Sequence, residues 1–205
     1  MPMRKLILQM QMSADGFFAA DKPVDWQLWG WGERCNWDDE LKDDFNSIIA
    51  SIDCVLLSRK MVEEGYLDHW GAAAKRYPAD KFYAFAQRVV DVEKVVPTQR
   101  LERSRWDRTV IAGGSLEDEV RELKSRPGQS IIAFGGIGLA SSLVAMNLVD
   151  ELQLFVNPFI LGCGASIFDA DHAKPLMLLQ STAYPCGMVV NRYQPQPACS
   201  TETTR

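Results

Sequence analysis

The chain has 205 residues, 47% hydrophobic and 24% charged, the proportions of an ordinary globular domain long enough to bury a full core without staples. Its 27 acidic and 22 basic residues leave a net charge of −5 with no basic stripe, which argues against a nucleic-acid partner. Two histidines are too few for a histidine-based zinc site, and five cysteines without a Cys-x-x-Cys pair read as free thiols of a reducing cytoplasm.

Residues 6–12 read as the first strand, apolar at Leu6, Ile7, Leu8, Met10 and Met12. Gln9 and Gln11 break the apolar run, so it is a strand and not a signal peptide, and no run in the chain approaches a membrane span. Ser13-Ala14-Asp15-Gly16 follows as a turn. An aromatic stretch then carries Phe17, Phe18, Trp26, Trp29, Trp31 and Trp37, which either wall a pocket for a flat ring or fold over the core. Asn36 is the expected N-cap of a helix with Asp38, Asp39 and Glu40 in its first turn and Trp37, Leu41, Phe45 and Ile48 on one face.

A strand over 54–57 ends on Ser58-Arg59-Lys60, a basic pair placed to clamp a phosphate where the next helix begins. Phe82, Phe85, Ala86 and Val89 mark another helix after Pro78. Short strands follow over 94–96, ending at Pro97-Thr98, and over 109–112, ending at Gly113-Gly114. Ser115 and Asp118 form a capping-box variant before the stripe Leu116, Val120 and Leu123, which Arg126-Pro127-Gly128 stops.

The apolar run 131–134 then breaks on Gly135, Gly136 and Gly138 into a helix carrying Leu139, Leu143 and Met146, which Asn147 can end in a left-handed conformation. A strand opening through glycines into a helix leaves backbone N–H groups and the positive end of a helix dipole facing outward, a setting for phosphate or pyrophosphate. The spacing Gly-Gly-x-Gly is not the dinucleotide fingerprint, and by itself such a turn also lets a helix pack close to a strand. Residues 152–159 read as the next strand, 161–164 as a turn, and 176–179 with 188–193 as a closing antiparallel hairpin.

Strands alternating with helices and then a hairpin predict one α/β domain over 1–194: a mostly parallel sheet between helical layers, closed by antiparallel strands. The Pro-, Ser- and Thr-containing tail 195–205 is expected to be disordered. Ligands of such sheets sit beyond the C-terminal strand ends, where residues 13–16, 58–60, Thr98 and 135–138 converge.

Phe134-Gly135-Gly136, residues 148–152 (LVDEL), residues 157–164 (NPFILGCG), Phe168, the early Ser13-Ala14-Asp15-Gly16-Phe17, Asp25-Trp26 and residues 56–61 (LLSRKM) together resemble the C-terminal reductase domain of RibD, in the dihydrofolate reductase-like superfamily. The likeness runs over roughly residues 3–194. It implies an NADPH-dependent reductase of a pyrimidine- or pterin-like compound, similar to the 5-amino-6-(5-phosphoribosylamino)uracil reductase of riboflavin biosynthesis. Arg59 and Lys60 would hold the 2′-phosphate or pyrophosphate, Thr98 would bond near the adenosine phosphate, and Gly135, Gly136, Ile137, Gly138 and Leu139 would cradle the pyrophosphate. Ser13, Asp25 and Trp26 would face the substrate. Asp15, and next to it Asp25, are the candidate proton donors, given an aromatic pocket that raises a carboxyl pKa.

The resemblance also implies a homodimer, compatible with an apolar edge strand over 152–159 that needs cover. The chain departs from the family at Ser58, where a glycine is usual, and at Met61, where a threonine would serve a phosphate. It carries no His-x-Glu with Pro-Cys-x-x-Cys, the zinc-deaminase pattern. A catalytically silent ligand- or nucleotide-binding protein on the same fold is the alternative. A flavodoxin-like carrier is disfavoured by the closing hairpin.

Overall fold

The computed structural model describes residues 3–22, 36–169 and 173–197. In chain order these form β1 (Leu6–Ser13), β2 (Ala19–Ala20), α1 (Asp39–Ala50), β3 (Ile52–Leu56), α2 (Arg59–Glu63), α3 (Tyr66–Arg76), a 3-10 turn (Lys81–Tyr83) and α4 (Ala84–Asp91). Then come β4 (Glu93–Pro97), β5 (Thr109–Ala112), α5 (Leu116–Ser125), β6 (Ser130–Phe134), α6 (Ile137–Ala145), β7 (Glu151–Asn157), β8 (Gly164–Ala165), β9 (Leu176–Ala183) and β10 (Val189–Pro195).

Eight strands make one sheet in the order β5-β4-β3-β6-β1-β7-β10-β9. The pairings from β5 through to β7 are all parallel, and β10 runs against both β7 and β9. The expected sheet closed by an antiparallel hairpin is therefore the observed one. β2 and β8 pair separately as a small antiparallel ribbon.

Helices cover both faces because β3 and β6 are apolar on both sides. On one face Ile7, Val55, Ile132 and Phe155 pack with Leu41, Phe45 and Ile49 of α1 and Phe85 and Val89 of α4. On the other, Leu6, Leu8, Ile131 and Leu152 pack with Val120 and Leu123 of α5 and Ala140 and Leu143 of α6. Trp37 stacks on Phe155 at 5.5 Å just before α1 begins, so this tryptophan belongs to the core.

Several local expectations change. α1 is capped by Asp38 rather than Asn36: one Asp38 oxygen accepts from the Leu41 amide at 2.9 Å and the other from the Cys186 amide at 2.9 Å. Satisfying two orphan donors from separate segments is what Asn36 does not offer. β7 is not an edge strand; it lies between β1 and β10, and the exposed apolar edge is β9. The ordered chain continues through Pro195, with the Gln196 amide donating to Pro175 O at 2.9 Å, while residues 198–205 of the expected tail lie outside the described residues. Cys54, Cys163 and Cys186 are free, and burial pushes the Cys54 thiol up to about 12, which makes it an inert packing group.

Candidate active site

The site is built where β6 leaves the sheet. Ile131, Ile132 and Ala133 are fully buried, and after Phe134 the chain turns at Gly135 (φ +53°) and Gly136 (φ +76°). Both angles lie in the left-handed region that side chains resist. A Cβ on Gly136 would stand 2.7 Å from Ser58 Oγ, so this glycine also lets the turn press against the start of α2. No atom lies within 4 Å of where a Cβ would stand on Gly135 or Gly138, which leaves their backbone open to a ligand.

Three helices start around this turn, and their caps differ. Ser58 Oγ accepts from the Met61 amide at the head of α2. At α5 Ser115 Oγ accepts from the Asp118 amide, and the Glu119 carboxylate takes the Gly114 N–H at 2.8 Å. α6 starts at Gly136 with no side-chain cap and no acidic residue in its first turn. Its leading N–H groups are the ones left to an anion.

Between these helix starts and the ends of β3, β4 and β5 lies a cavity of about 310 Å³. Arg59, Thr98, Gly138 and Leu139 line it, joined by Ser58, Gln99, Gly114 and Ser142. Four of the residues expected at the cofactor thus meet on one surface. Thr98 is fixed by its amide donating to Ala112 O at 2.8 Å, and its Oγ1 accepts from the Arg100 amide at 3.1 Å. Arg59 pairs with Glu63 one turn along α2. Lys60 does not line the cavity; its exposed ammonium stands 3.6 Å from Glu64. Met61 gives its amide to Ser58 and turns its sulfur toward Gly136, which explains both departures at once: serine supplies the cap, and the thioether fills space beside the turn. An uncapped helix start, two open glycines and a guanidinium fit a phosphorylated dinucleotide.

The first turn after β1 is a clamp. Ser13, fully buried, accepts from the Phe17 amide through Oγ at 3.0 Å. The exposed Asp15 carboxylate accepts from the amides of Leu161 at 3.0 Å and Gly162 at 2.6 Å. Hydrogen bonds from the Ser13 hydroxyl first, then from those amides, lower the Asp15 pKa to about 2. Phe18 N–H donates to Ala165 O and β2 pairs with β8, so the loops following β1 and β7 are fastened together. An aspartate held ionised this way suits a loop fastener and not the proton donor expected of it. Asp25 and Trp26 lie outside the described residues.

Sequence reasoning passed over a polar row on the α1 side of β1 and β7. Gln9, Gln11, Gln153 and Asn157 are each at most 3% exposed. Gln9 Nε2 donates to Gln153 Oε1 at 3.0 Å, Gln153 Nε2 to Glu151 Oε1 at 2.8 Å, and Arg192 Nε to the same Glu151 oxygen at 2.7 Å. The signal was present in the sequence: glutamines at the inward period-two positions of an otherwise apolar strand. Pairing of β1 with β6 stops at Gln9↔Phe134, while pairing with β7 continues to Ser13↔Asn157. The β6-facing edge of residues 10–13 is thus left without a strand partner beside the glycine turn, at the switch-point position where such sheets bind ligands.

A larger cavity, about 450 Å³, lies among α1, α3 and α4 beside Asn46, Tyr77 and Arg88. It reaches the N-terminal end of β3, where Arg88 Nε donates to Ile52 O at 3.0 Å, and no residue predicted for the site lines it. The smaller cavity has Gly138 and Leu139 of the uncapped helix and the strand ends, while Gly135, Gly136 and Ile137 do not line it; volume alone does not select a site.

Comparison with known proteins gives the same picture. The chain is 25% identical over 188 residues to the uncharacterized protein YyaP of Bacillus subtilis (strain 168), covering 91% of this chain and 92% of that one. The bifunctional diaminohydroxyphosphoribosylaminopyrimidine deaminase/5-amino-6-(5-phosphoribosylamino)uracil reductase of Thermotoga maritima superposes with a TM-score of 0.64 at 15% identity, over 95% of this chain and 57% of that longer one. Dihydrofolate reductase from Enterococcus faecalis, solved with NADP(H), superposes with a TM-score of 0.56 at 12% identity, over 94% of this chain and 96% of that one. These likenesses establish a dihydrofolate reductase-like fold. The family model of the RibD C-terminal domain matches residues 4–190, and the chain belongs to that family.

Proposed function

We propose that this chain is an NADPH-dependent oxidoreductase acting on a pyrimidine- or pterin-like small molecule, similar in reaction to the 5-amino-6-(5-phosphoribosylamino)uracil reductase of riboflavin biosynthesis. The observation that carries the reading is the meeting of Arg59, Thr98, Gly138 and Leu139 on one cavity at the C-terminal strand ends. NADPH, when bound, supplies the hydride. Arg59 distinguishes a 2′-phosphate from a hydroxyl by charge, the α6 amides hold the pyrophosphate, and the open glycines let the backbone approach it. The acceptor ring lies at the switch point where β1 and β6 part, next to the glycine turn, since hydride transfer depends chiefly on proximity and exclusion of water. Asp15 fastens the loops that follow β1 and β7. Asp25 and solvent are the remaining proton sources, to be separated by an Asp25→Asn variant.

We place the protein in the cytoplasm and as a homodimer. Leu176, Met177, Leu178 and Leu179 of β9 are 39%, 47%, 55% and 45% exposed, an apolar edge that a second copy would cover.

The test is loss of NADPH absorbance on mixing with a panel of aminopyrimidines and pterins. Oxidation with at least one member supports the reductase reading. NADPH binding without oxidation by any member favours the second reading, a catalytically silent binding protein, which the ionised, loop-bound Asp15 supports.

A further inference from the structure

The cavity of about 450 Å³ lies beside Ile52, the first residue of β3, at the opposite end of that strand from Ser58 and the smaller cavity. Its volume is within the range of small-molecule pockets, roughly 300–1,000 Å³. Its floor is apolar, with Ile49, Ala74 and Phe85 at most 5% exposed. Asn46 ties the walls together: its Oδ1 accepts from the Phe85 amide at 2.8 Å, and its Nδ2 donates to Lys42 O at 2.9 Å and Phe82 O at 3.3 Å. The pocket is therefore held open by the fold and does not wait on a ligand to form.

Two features set the chemistry of an occupant. The first is the Arg88 guanidinium. Nε and Nη2 both donate to Ile52 O, and Nη2 also reaches Gln129 Oε1 at 3.4 Å, which fixes the group in place. Nη1 has no acceptor and the guanidinium no carboxylate partner among the described residues. The other charged groups lining the cavity are exposed and already engaged: Lys81 with Asp43 at 3.1 Å, Asp91 with Gln87 Nε2 at 2.8 Å, and Asp80 with the Phe82 amide at 2.9 Å. Arg88 is half-buried, so its charge is the least screened of the four. The second feature is the Tyr77 ring. It stacks on Tyr83 at 4.2 Å and has the Arg76 guanidinium over it at 5.2 Å, so both of its faces are covered. What it offers the cavity is its edge, the positive rim of the ring quadrupole. That edge suits the face of a flat ring or an anion, and gives a cation no π-face to rest on.

We propose that this cavity is a second ligand site, taking a planar aromatic carboxylate whose ring packs on the apolar floor against the Tyr77 edge while its carboxylate accepts from Arg88 Nη1. The site shares no lining residue with the smaller cavity and does not depend on the reductase reading.

The experiment titrates 2-naphthoate, and separately its neutral analogue 2-naphthamide, calorimetrically into the full-length wild type, Arg88→Gln, Tyr77→Ala and Arg59→Ala. Glutamine keeps a donor for Ile52 O and removes the charge. The wild type is expected to bind 2-naphthoate with a Kd of about 1 mM or tighter, and at least roughly tenfold more tightly than the amide. Arg88→Gln should erase that preference, Tyr77→Ala should weaken both probes severalfold, and Arg59→Ala should change neither. Thermal melts identify any variant that has lost its fold, and Tyr77→Ala keeps the proposal testable if Arg88→Gln does. No binding of 2-naphthoate by the wild type at about 1 mM, or equal affinity for the two probes, overturns the proposal. So does undiminished 2-naphthoate affinity in a folded Arg88→Gln or Tyr77→Ala protein. Loss of binding in Arg59→Ala would place the probe in the smaller cavity and overturn it equally.

Discussion

Gly138→Ala separates a packing role for the glycine turn from a ligand-binding one. Gly138 is the second residue of α6, with ordinary helical backbone and no atom within 4 Å of a built Cβ. For the free protein the change is favourable, because alanine loses less backbone freedom in a helix, by about 0.5–1 kcal/mol. That corresponds to a rise of about 1–4 °C in Tm for a chain of this size. Gly138 also lines the cavity of about 310 Å³, so the new methyl intrudes on a bound pyrophosphate. A tenfold loss in affinity, about 1.4 kcal/mol, is the minimum expected of such a displacement. Melting with and without NADPH reads both effects. At a hundred times the wild-type Kd, NADPH stabilises the wild type by about 2.7 kcal/mol and a tenfold-weakened variant by only about 1.4 kcal/mol. The variant should therefore melt higher alone and show the smaller shift with cofactor. A variant that melts higher and keeps the full NADPH shift refutes the reasoning, and the turn is then packing only.

Other outcomes follow from the same geometry. Asp15→Asn should retain turnover while loosening the 13–20 and 159–165 loops; a loss of turnover with intact loops would return Asp15 to the proton-donor role. Because the folded pKa of Asp15 is depressed to about 2, its contribution is present above the unfolded value of 3.8 and is lost as pH falls toward about 2. The Leu161 and Gly162 amide resonances should report that low midpoint, and a midpoint near the unperturbed value would contradict the clamp. Gly136→Ala, at φ +76° and 2.7 Å from Ser58 Oγ, should destabilise by about 2–5 kcal/mol, the sum of left-handed strain and overpacking, measured by denaturant unfolding; a loss of only about 1–2 kcal/mol would show that α2 gives way freely, and a change under about 0.5 kcal/mol would contradict both contributions. Leu178→Glu on β9 should convert a dimer to a monomer in light scattering, and an unchanged mass would place the contact elsewhere.

Much of the architecture was written in local signals. The β6–glycine–α6 unit, the Ser115–Asp118 cap, the left-handed Asn147 at φ +55° and the β9–β10 hairpin each depend on residues near in sequence. What was missed depends on distant partners. Nothing local tells that β7 is flanked by β1 and β10, since strand order is set by the whole sheet. α2 was expected only as a helix start at Ser58-Arg59-Lys60 and α3 not at all, because their buried stripe is thin, Val62, Leu67 and Ala74 amid solvated charge. Asp38 rather than Asn36 caps α1 through the Leu41 amide, and its second oxygen serves the Cys186 amide far along the chain, a partner no local signal shows. Within the site, Arg59, Thr98 and the glycines were legible from position after a strand, whereas Lys60 was claimed by Glu64 and Asp15 by backbone amides across the loop. Gln9 was visible as a broken apolar pattern; its hydrogen-bonded neighbours required the register that sets β7 beside β1.

The central claim is that the cavity between α2, α5 and α6 holds NADPH. Calorimetric titration of the purified protein with NADPH and, separately, NADH tests it most directly, repeated with Arg59→Ala. NADPH should bind more tightly than NADH, and Arg59→Ala should erase roughly a tenfold part of that preference, the size of one charge-assisted contact. Binding of neither nucleotide, or equal affinity for both that Arg59→Ala leaves unmoved, would contradict it.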